Sequence, residues 1–348
     1  MLSTLDCDYT DLLEQRGVKC TGPMFYIEPL DEIVHSLPKK LAVIGGFSGC
    51  YKTTTALNIV YNNAINLGYS CCFLSLEMET EEIHLRLLVR HAQHQKFRKY
   101  NCVITLQKAY LNNFSQVEKD FLYNEVTPDL KNNPAYGQII VAGPEDASEL
   151  FNGFDSFISK MDQRLLCLRP DNKLDLLVID YIQLLARFSG SQSKGISDQF
   201  KIVAQLIRYL RYITHNYNNQ KGISIIVLSQ LNRISYTALK ERLRNPRIKK
   251  EDKYKDLYDL TSISESSEIV NAADLVLTIY SDDILKEGSK AVIQLLKNRL
   301  GNTIEEGIEI AAFPDISYVG DFNQQDKNCP SYHEEMQEFV NNLIMGLM

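Results

Sequence analysis

The stretch LAVIGGFSGCYKTTTALN, residues 41–58, joins an apolar run to a loop of small residues and then to Lys52-Thr53 at the start of a helical pattern. That order suits the holding of a phosphate. Glycines let backbone N–H groups close around phosphate oxygens, and a helix N-terminus adds its positive dipole end. Against the phosphate-loop pattern GxxxxGK[S/T], residues 46–53 keep Gly46, Lys52 and Thr53 but carry Tyr51 where the last glycine should stand. On this reading Gly46, Ser48, Gly49, Cys50, Tyr51 and Thr54 line a nucleotide. Lys52 neutralises its β and γ phosphates, and Thr53 supplies an oxygen to Mg²⁺. If Tyr51 needs a positive φ, the strain is on the order of 1 kcal/mol or more. The competing reading is a strand-turn-helix with an incidental lysine.

Composition bounds the rest. A chain of 348 residues, 45% hydrophobic and 23% charged, has room for one large α/β domain or two modest ones. A net charge of −7 argues against a general polycationic coat, so any nucleic-acid contact must come from a local basic patch. The eight cysteines form no CxxC pair, which fits reduced thiols rather than a disulfide framework or a zinc site. The start, MLSTLDCDYTDLLEQ, is acidic where a signal peptide is basic, and no apolar run approaches the roughly 18 residues of a membrane span. The expectation is a cytoplasmic protein with no membrane partner.

Residues 1–37 read as a lead-in segment with a short helix at 8–16, a candidate inter-subunit contact. A helix over 53–67 follows the loop, and then an apolar strand, residues 70–76, ends at Glu77. In a doubly wound sheet the carboxyl ends of the strands line the ligand crevice, so Glu77 is either a base for an attacking water or an acid at the start of the next helix, 81–94. Residues 100–135 are polar and aromatic, with helical stretches but no motif. A short strand at 138–142 and a helix at 149–166 precede LDLLVID, residues 174–180, an apolar strand ending in Asp180. Beside a phosphate loop, a carboxylate at that position holds Mg²⁺ against the Thr53 hydroxyl.

Further on, a loop carries Arg187 and Lys194, two further candidate nucleic-acid contacts, a helix spans 197–217, and a buried strand, 222–230, ends in Gln230. That amide is either a sensor of a γ-phosphate or a satisfied strand-end group. Between Arg233 and Lys255 nine cations face three carboxylates. The segment reads as a loop gripping a nucleic-acid strand through Arg233, Lys240, Arg242, Arg244, Arg247, Lys249, Lys250 and Lys253; the bland reading is a solvated charged helix or an insertion. Strands at 275–280, 291–296 and 307–313 close the domain, the second running into Lys297 and Arg299, which taken alone are surface cations. A helix at 332–347 ends a C-terminal tail, residues 323–348.

GGFSGCYKTT, FLSLEM, LLVIDYIQLL, IIVLSQLNR, SESSEIVNAADLVL and LLKNRLGN, in that order, resemble the C-terminal RecA-like ATPase domain of DnaB-type replicative helicases over about residues 38–322. The resemblance implies a RecA-like fold: a mostly parallel central sheet with helices on both faces. It also implies an ATP- and Mg²⁺-dependent motor, usually a hexameric ring, that hydrolyses nucleotide between subunits and moves along single-stranded DNA. By position, Lys52 and Thr53 hold phosphate and Mg²⁺, Asp180 holds Mg²⁺, Glu77 is the catalytic base, Gln230 the sensor, and Lys297 and Arg299 a trans-acting pair. The chain ahead of the loop leaves no room for the helical collar domain of such helicases, which puts loader and replication partners in question. Tyr51 in place of a glycine puts the turnover rate in question, while the longer, more basic segment after Leu231 and the insertion-like stretch 100–135 depart from the family pattern and suggest a phage or mobile-element relative. Competing readings are a RecA-like DNA-binding ATPase that does not unwind (recombination mediator, loader or defence component) and a nucleotide-binding scaffold with little turnover.

Overall fold

A computed structural model describes residues 22–147, 156, 159–164, 173–184, 196–220, 222–245, 247–249, 252–263 and 266–321. The helices expected at 8–16 and 332–347, most of that at 149–166, and the candidate DNA-binding residues Arg187, Lys194 and Lys250 lie outside these residues.

Among the described residues, strands β1 (Leu41–Gly46), β2 (Cys71–Ser75), β3 (Ile139–Ala142), β4 (Leu176–Asp180), β5 (Ser224–Gln230) and β6 (Leu275–Tyr280) form a parallel sheet. Strands β7 (Lys290–Asn298), β8 (Ile304–Phe313) and β9 (Tyr318–Gly320) continue it antiparallel, in the order β3-β2-β4-β5-β1-β6-β7-β8-β9. Along the chain, α1 (Glu28–Val34), α2 (Lys52–Leu67) and α3 (Thr80–Ala92) precede the short helices α4 (Leu106–Leu111), α5 (Gln116–Phe121) and α6 (Thr127–Asn132). After them come α7 (Ile196–Gln220), α8 (Arg233–Arg244), α9 (Ser266–Ala272) and α10 (Asp283–Glu287).

Near-continuous apolar strands make sense only where both faces of the sheet are covered. In β1, Leu41 and Val43 face one apolar layer while Ala42 and Ile44 face the other, the alternation a strand imposes. The first layer is closed by Val203, Ile207, Leu210 and Ile213 of α7. Ile202 and Leu206 of the same helix are partly buried and pack against this layer. The second layer is closed by Ala56, Leu57, Ile59, Val60 and Ala64 of α2. It also receives Phe25, Ile27, Leu30, Val34 and Leu37, so residues 22–37 pack into the core instead of leading up to it.

The motif-poor region 100–135 folds as α4 to α6 around its own apolar cluster, which shares Phe313 and Tyr318 with the antiparallel end of the sheet. A polar network ties it down. His91 contacts Tyr61 Oη and Asp129 Oδ2, each at 2.8 Å, and Asp129 also takes the Lys96 ammonium and the Tyr136 hydroxyl. Fully buried Arg90 donates to Asn58 Oδ1 at 2.7 Å and lies over the Tyr61 ring.

His94, 8% exposed, accepts the Lys96 backbone N–H through Nδ1 at 3.3 Å, a bond open only to the neutral ring. Burial, then the positive groups His91, Lys96 and Arg90, lowers its pKa to about 4. The unfolded chain binds that proton more readily, with a pKa of about 6.5, so stability is lost as pH falls from about 6.5 toward 4. The His94 share of the change in thermal stability between pH 7.5 and pH 5 should therefore be a loss of about 1–2 kcal/mol, read as the difference between the unaltered protein and a His94 variant. The difference is needed because buried Asp31, raised to about 7, and Asp180 shift stability the other way. His94→Asn keeps an acceptor but no titration; an equal change in it would remove His94 as the source.

Candidate active site

Parallel strands β1, β2, β4 and β5 end at one edge of the sheet, and polar side chains appear there as each apolar run stops. The turn after β1 closes with Cys50 N and Lys52 Nζ both donating to the Phe47 carbonyl, the latter at 2.9 Å. Gly46 has to be glycine: a Cβ there would meet Lys52 Cγ at 2.9 Å and Ile279 O at 3.0 Å. Ser48 and Gly49 are exposed, Gly49 at φ +77, and the buried Cys50 thiol donates to Ser281 O. Tyr51 does adopt the left-handed backbone, φ 64 and ψ 19, immediately before α2. Its side chain is half-buried against the layer under α2, and burial raises its hydroxyl pKa. Thr54 is buried within α2.

Thr53 Oγ1 donates to Asp180 Oδ2 at 2.6 Å, joining the loop to the end of β4. Asp180 is 1% exposed, and burial lifts its pKa to about 6 against the Thr53 hydrogen bond; nearby Glu77 adds to the rise, while Lys52 and Arg86 oppose it. Burial likewise lowers the Lys52 pKa, opposed by Asp180, Cys50 and Glu77. Glu77 is positioned through its neighbours. Ser75 pairs in register with Asp180, Leu76 N donates to Asp180 O at 2.8 Å, and the Ser75 hydroxyl holds the turn at Met78, leaving Glu77 exposed at the tip. Gln230 is exposed beside Gly46, its register partner. Gln183 Nε2 donates to the buried Ser229 Oγ at 2.9 Å, linking the ends of β4 and β5. A hydroxyl and a carboxylate side by side are hard oxygen donors of the kind Mg²⁺ takes, beside phosphates rather than in an all-protein cage. Among the described residues no group of three or more His, Cys, Asp or Glu could hold a metal ion.

Lys297 and Arg299 are not part of this edge. β7 runs antiparallel, so Lys297 lies beside Val276 and Arg299 N donates to Asp274 O, next to the start of β1. Five residues of strand, about 16 Å, separate that point from Gly46, farther than an arginine side chain reaches. Lys297 Nζ donates to Val270 O and Arg299 Nη2 to Asn271 O, both carbonyls of α9.

The basic segment begins as a helix, α8, not as a loop. Its Asn232 cap accepts Ser235 N, and only Leu239 is buried in the helix, so the cations ride an exposed surface. Arg233, Lys240, Arg244, Arg247 and Lys249 are exposed and Lys253 is half-buried. Arg242 instead donates to the carbonyls of Lys255 and Asp256, tying the end of α8 to the chain that follows. Two cations near the loop carried no motif signal. Lys286 of α10 has its ammonium 3.9 Å from where a Gly49 Cβ would lie, and Arg86 of α3 bears on Asp180.

Residues 25–133 and 152–312 match the family described as DnaB-like helicase C terminal domain. The chain belongs to that family. It is 27% identical over 268 residues to a probable replicative DNA helicase of Trieres chinensis, covering 76% of this chain and 49% of that protein. It is 26% identical over 322 residues to the replicative DNA helicase DnaB of Buchnera aphidicola from Acyrthosiphon pisum, covering 84% and 60%. The chain thus spans about half to three-fifths of the curated relatives it matches. A solved structure described as an ATPase domain superposes with a TM-score of 0.66 at 18% identity, covering 93% of this chain and all of that one. A DnaB-like replicative helicase, solved for its interactions with primase, gives 0.65 at 18%, covering 93% and 68%. The RecA-like fold expected from the resemblance is the one observed.

For this member of the DnaB-like family, the left-handed Tyr51 makes a specific demand. Tyr51→Gly and Tyr51→Ala both remove the ring, but only glycine relieves the backbone. Glycine should therefore be the more stable by about 1 kcal/mol, the reverse of the order inside a helix. Thermal unfolding of the pair measures this, and alanine as the more stable would contradict the φ value.

Proposed function

We propose that this chain is the motor domain of an ATP-dependent DNA helicase of the DnaB type, a homo-oligomeric ring that moves along single-stranded DNA in the cytoplasm. The observation that carries the reading is the 2.6 Å bond from Thr53 to Asp180, with Lys52, Glu77 and Gln230 on the same edge and Arg299 at the opposite end of the sheet. Lys52 and the backbone of residues 46–53 bind the triphosphate. Thr53 and Asp180 would hold Mg²⁺, which supplies charge neutralisation to the phosphates. Glu77 orients and deprotonates the attacking water, and Gln230 registers the γ-phosphate. Arg299 and Lys297 are too far from their own loop and serve the site of the next subunit, where an arginine finger is worth about 10³–10⁵ in rate. Family membership supports the helicase reading over the non-unwinding ATPase and the scaffold. Replication partners such as a primase or a loader follow the same analogy.

The deciding experiment is steady-state ATP hydrolysis with Mg²⁺, with and without single-stranded DNA, at a measured oligomeric state, followed by strand displacement on a forked duplex. DNA-stimulated turnover with displacement supports the helicase; stimulation without displacement returns the non-unwinding ATPase; no turnover returns the scaffold.

Lys52→Ala should abolish turnover. Arg299→Ala should bind nucleotide normally yet hydrolyse at least about a hundredfold more slowly. Mixing the two inactive variants in equal amounts leaves about a quarter of interfaces with an intact loop facing an intact Arg299, so activity should partly return. Loss of nucleotide binding in Arg299→Ala would instead place the residue in its own site.

Neutralising Arg233, Arg244 and Arg247 together should weaken DNA binding and lower the salt slope by roughly one for each phosphate these side chains neutralise. An unchanged slope would return α8 to a solvated helix.

A further inference from the structure

The phosphate loop touches α8 through one aromatic pair. The Phe47 ring lies 4.7 Å from that of Tyr236, centroid to centroid, tilted by 58°, and 6.0 Å from Tyr258. Tyr236 is 39% exposed, and the Lys240 ammonium sits 4.3 Å from its ring centroid. Its other neighbours on the first turns of α8 are Arg233, exposed, and Ile234, 83% exposed. The far end of the basic segment reaches the same aromatic cluster: Tyr254 and Tyr258 both pack on Tyr280, and Tyr254 Oη donates to Asp282.

An exposed aromatic ring among cations is how a protein holds an unpaired strand: bases stack on the ring while phosphates meet the charges. Here the stacking ring is also the one that the phosphate loop touches. The Phe47 carbonyl accepts Lys52 Nζ, and a charged phosphate oxygen is a stronger acceptor for that ammonium than a neutral carbonyl. Nucleotide binding therefore withdraws a bond from the backbone of the residue whose ring supports Tyr236.

We infer that Tyr236 is a base-stacking contact for single-stranded DNA, and that Phe47 makes its stacking depend on whether the nucleotide site is filled. This rests on the proposed strand binding by α8 and names the residues through which it meets the nucleotide. A base stacked on Tyr236 takes the place of the Lys240 ammonium, which is released to the adjoining phosphate. Coupling of this kind is reciprocal, so the strand must alter nucleotide affinity by the same factor.

The test is fluorescence anisotropy of labelled oligothymidylate with the full chain, with and without the non-hydrolysable imido analogue of ATP and Mg²⁺. The unaltered protein should show a ratio of DNA affinities between the two conditions of at least about fivefold. Tyr236→Ala should weaken DNA binding and bring that ratio within about twofold of one, and Tyr236→Phe should restore both. Phe47→Leu, with the analogue raised until it saturates the nucleotide site, should bring the ratio to the same value, and the double variant should do no more than Tyr236→Ala alone. A ratio that survives Tyr236→Ala or Phe47→Leu overturns the inference, as does a double variant whose effects add. If the unaltered protein binds DNA equally with and without the analogue, the coupling is wrong and the strand-binding reading stands. If it binds no DNA at all, both fall.

Discussion

The structure depends on one constraint: strands buried on both faces can show polar chemistry only where they stop. β1, β2, β4 and β5 are apolar along their length, and their parallel pairing makes them stop together. Gly45 and Gly46 close β1, Glu77 follows β2, Asp180 closes β4 and Gln230 closes β5. None of these positions is meaningful without the register. A shift of one residue between β2 and β4 would separate Ser75 from Asp180 and swing the Glu77 turn off the site, and it would also exchange the two apolar layers. The forces that bury the sheet therefore also assemble the site.

The same edge holds charged groups that burial disfavours. Asp180 is pushed toward its neutral form and so is Lys52, yet each lies in the other's field and Thr53 donates to the carboxylate. On the proposed reading, an anionic nucleotide with its cation would satisfy both at once, neutralising Lys52 and giving the carboxylate a cation to hold. On that reading the Lys52 bond to the Phe47 carbonyl is a weaker substitute for a phosphate, holding the site in shape without fully satisfying it.

Much of this was legible in the chain. Apolar runs ending in Glu77, Asp180 and Gln230, and the 46–53 loop, announce themselves because strand ends and glycine turns have local causes. The left-handed Tyr51 was legible as a condition, since the loop geometry demands a positive φ whatever residue stands there. Other features were hidden because their causes lie far apart in sequence. Nothing local told that residues 25–37 fill the layer beneath α2, that Arg242 turns back on the carbonyls of Lys255 and Asp256, or that the basic segment starts as a helix. Phe47 and Tyr236 were invisible for the same reason: each is an ordinary aromatic until the fold sets them 4.7 Å apart.

The antiparallel extension then sets two groups of polar and charged residues at opposite ends of the sheet. Because β7 reverses direction after β6, Lys297 and Arg299 come to rest where β1 begins, bonded to carbonyls of α9 and facing away from the loop they would serve. On the proposed reading, a chain built this way carries an incomplete nucleotide site at one end of its sheet and the missing cations at the other. Head-to-tail contact between copies would then complete every site with the same interface, and a repeated heterologous contact closes only as a ring or continues as a helix. On the proposed reading, hydrolysis is then a property of the junction between neighbours. The basic helix α8 leaves β5 at the loop end, so on the same reading a strand bound along it would lie close to both the nucleotide site and the aromatic ring beside it.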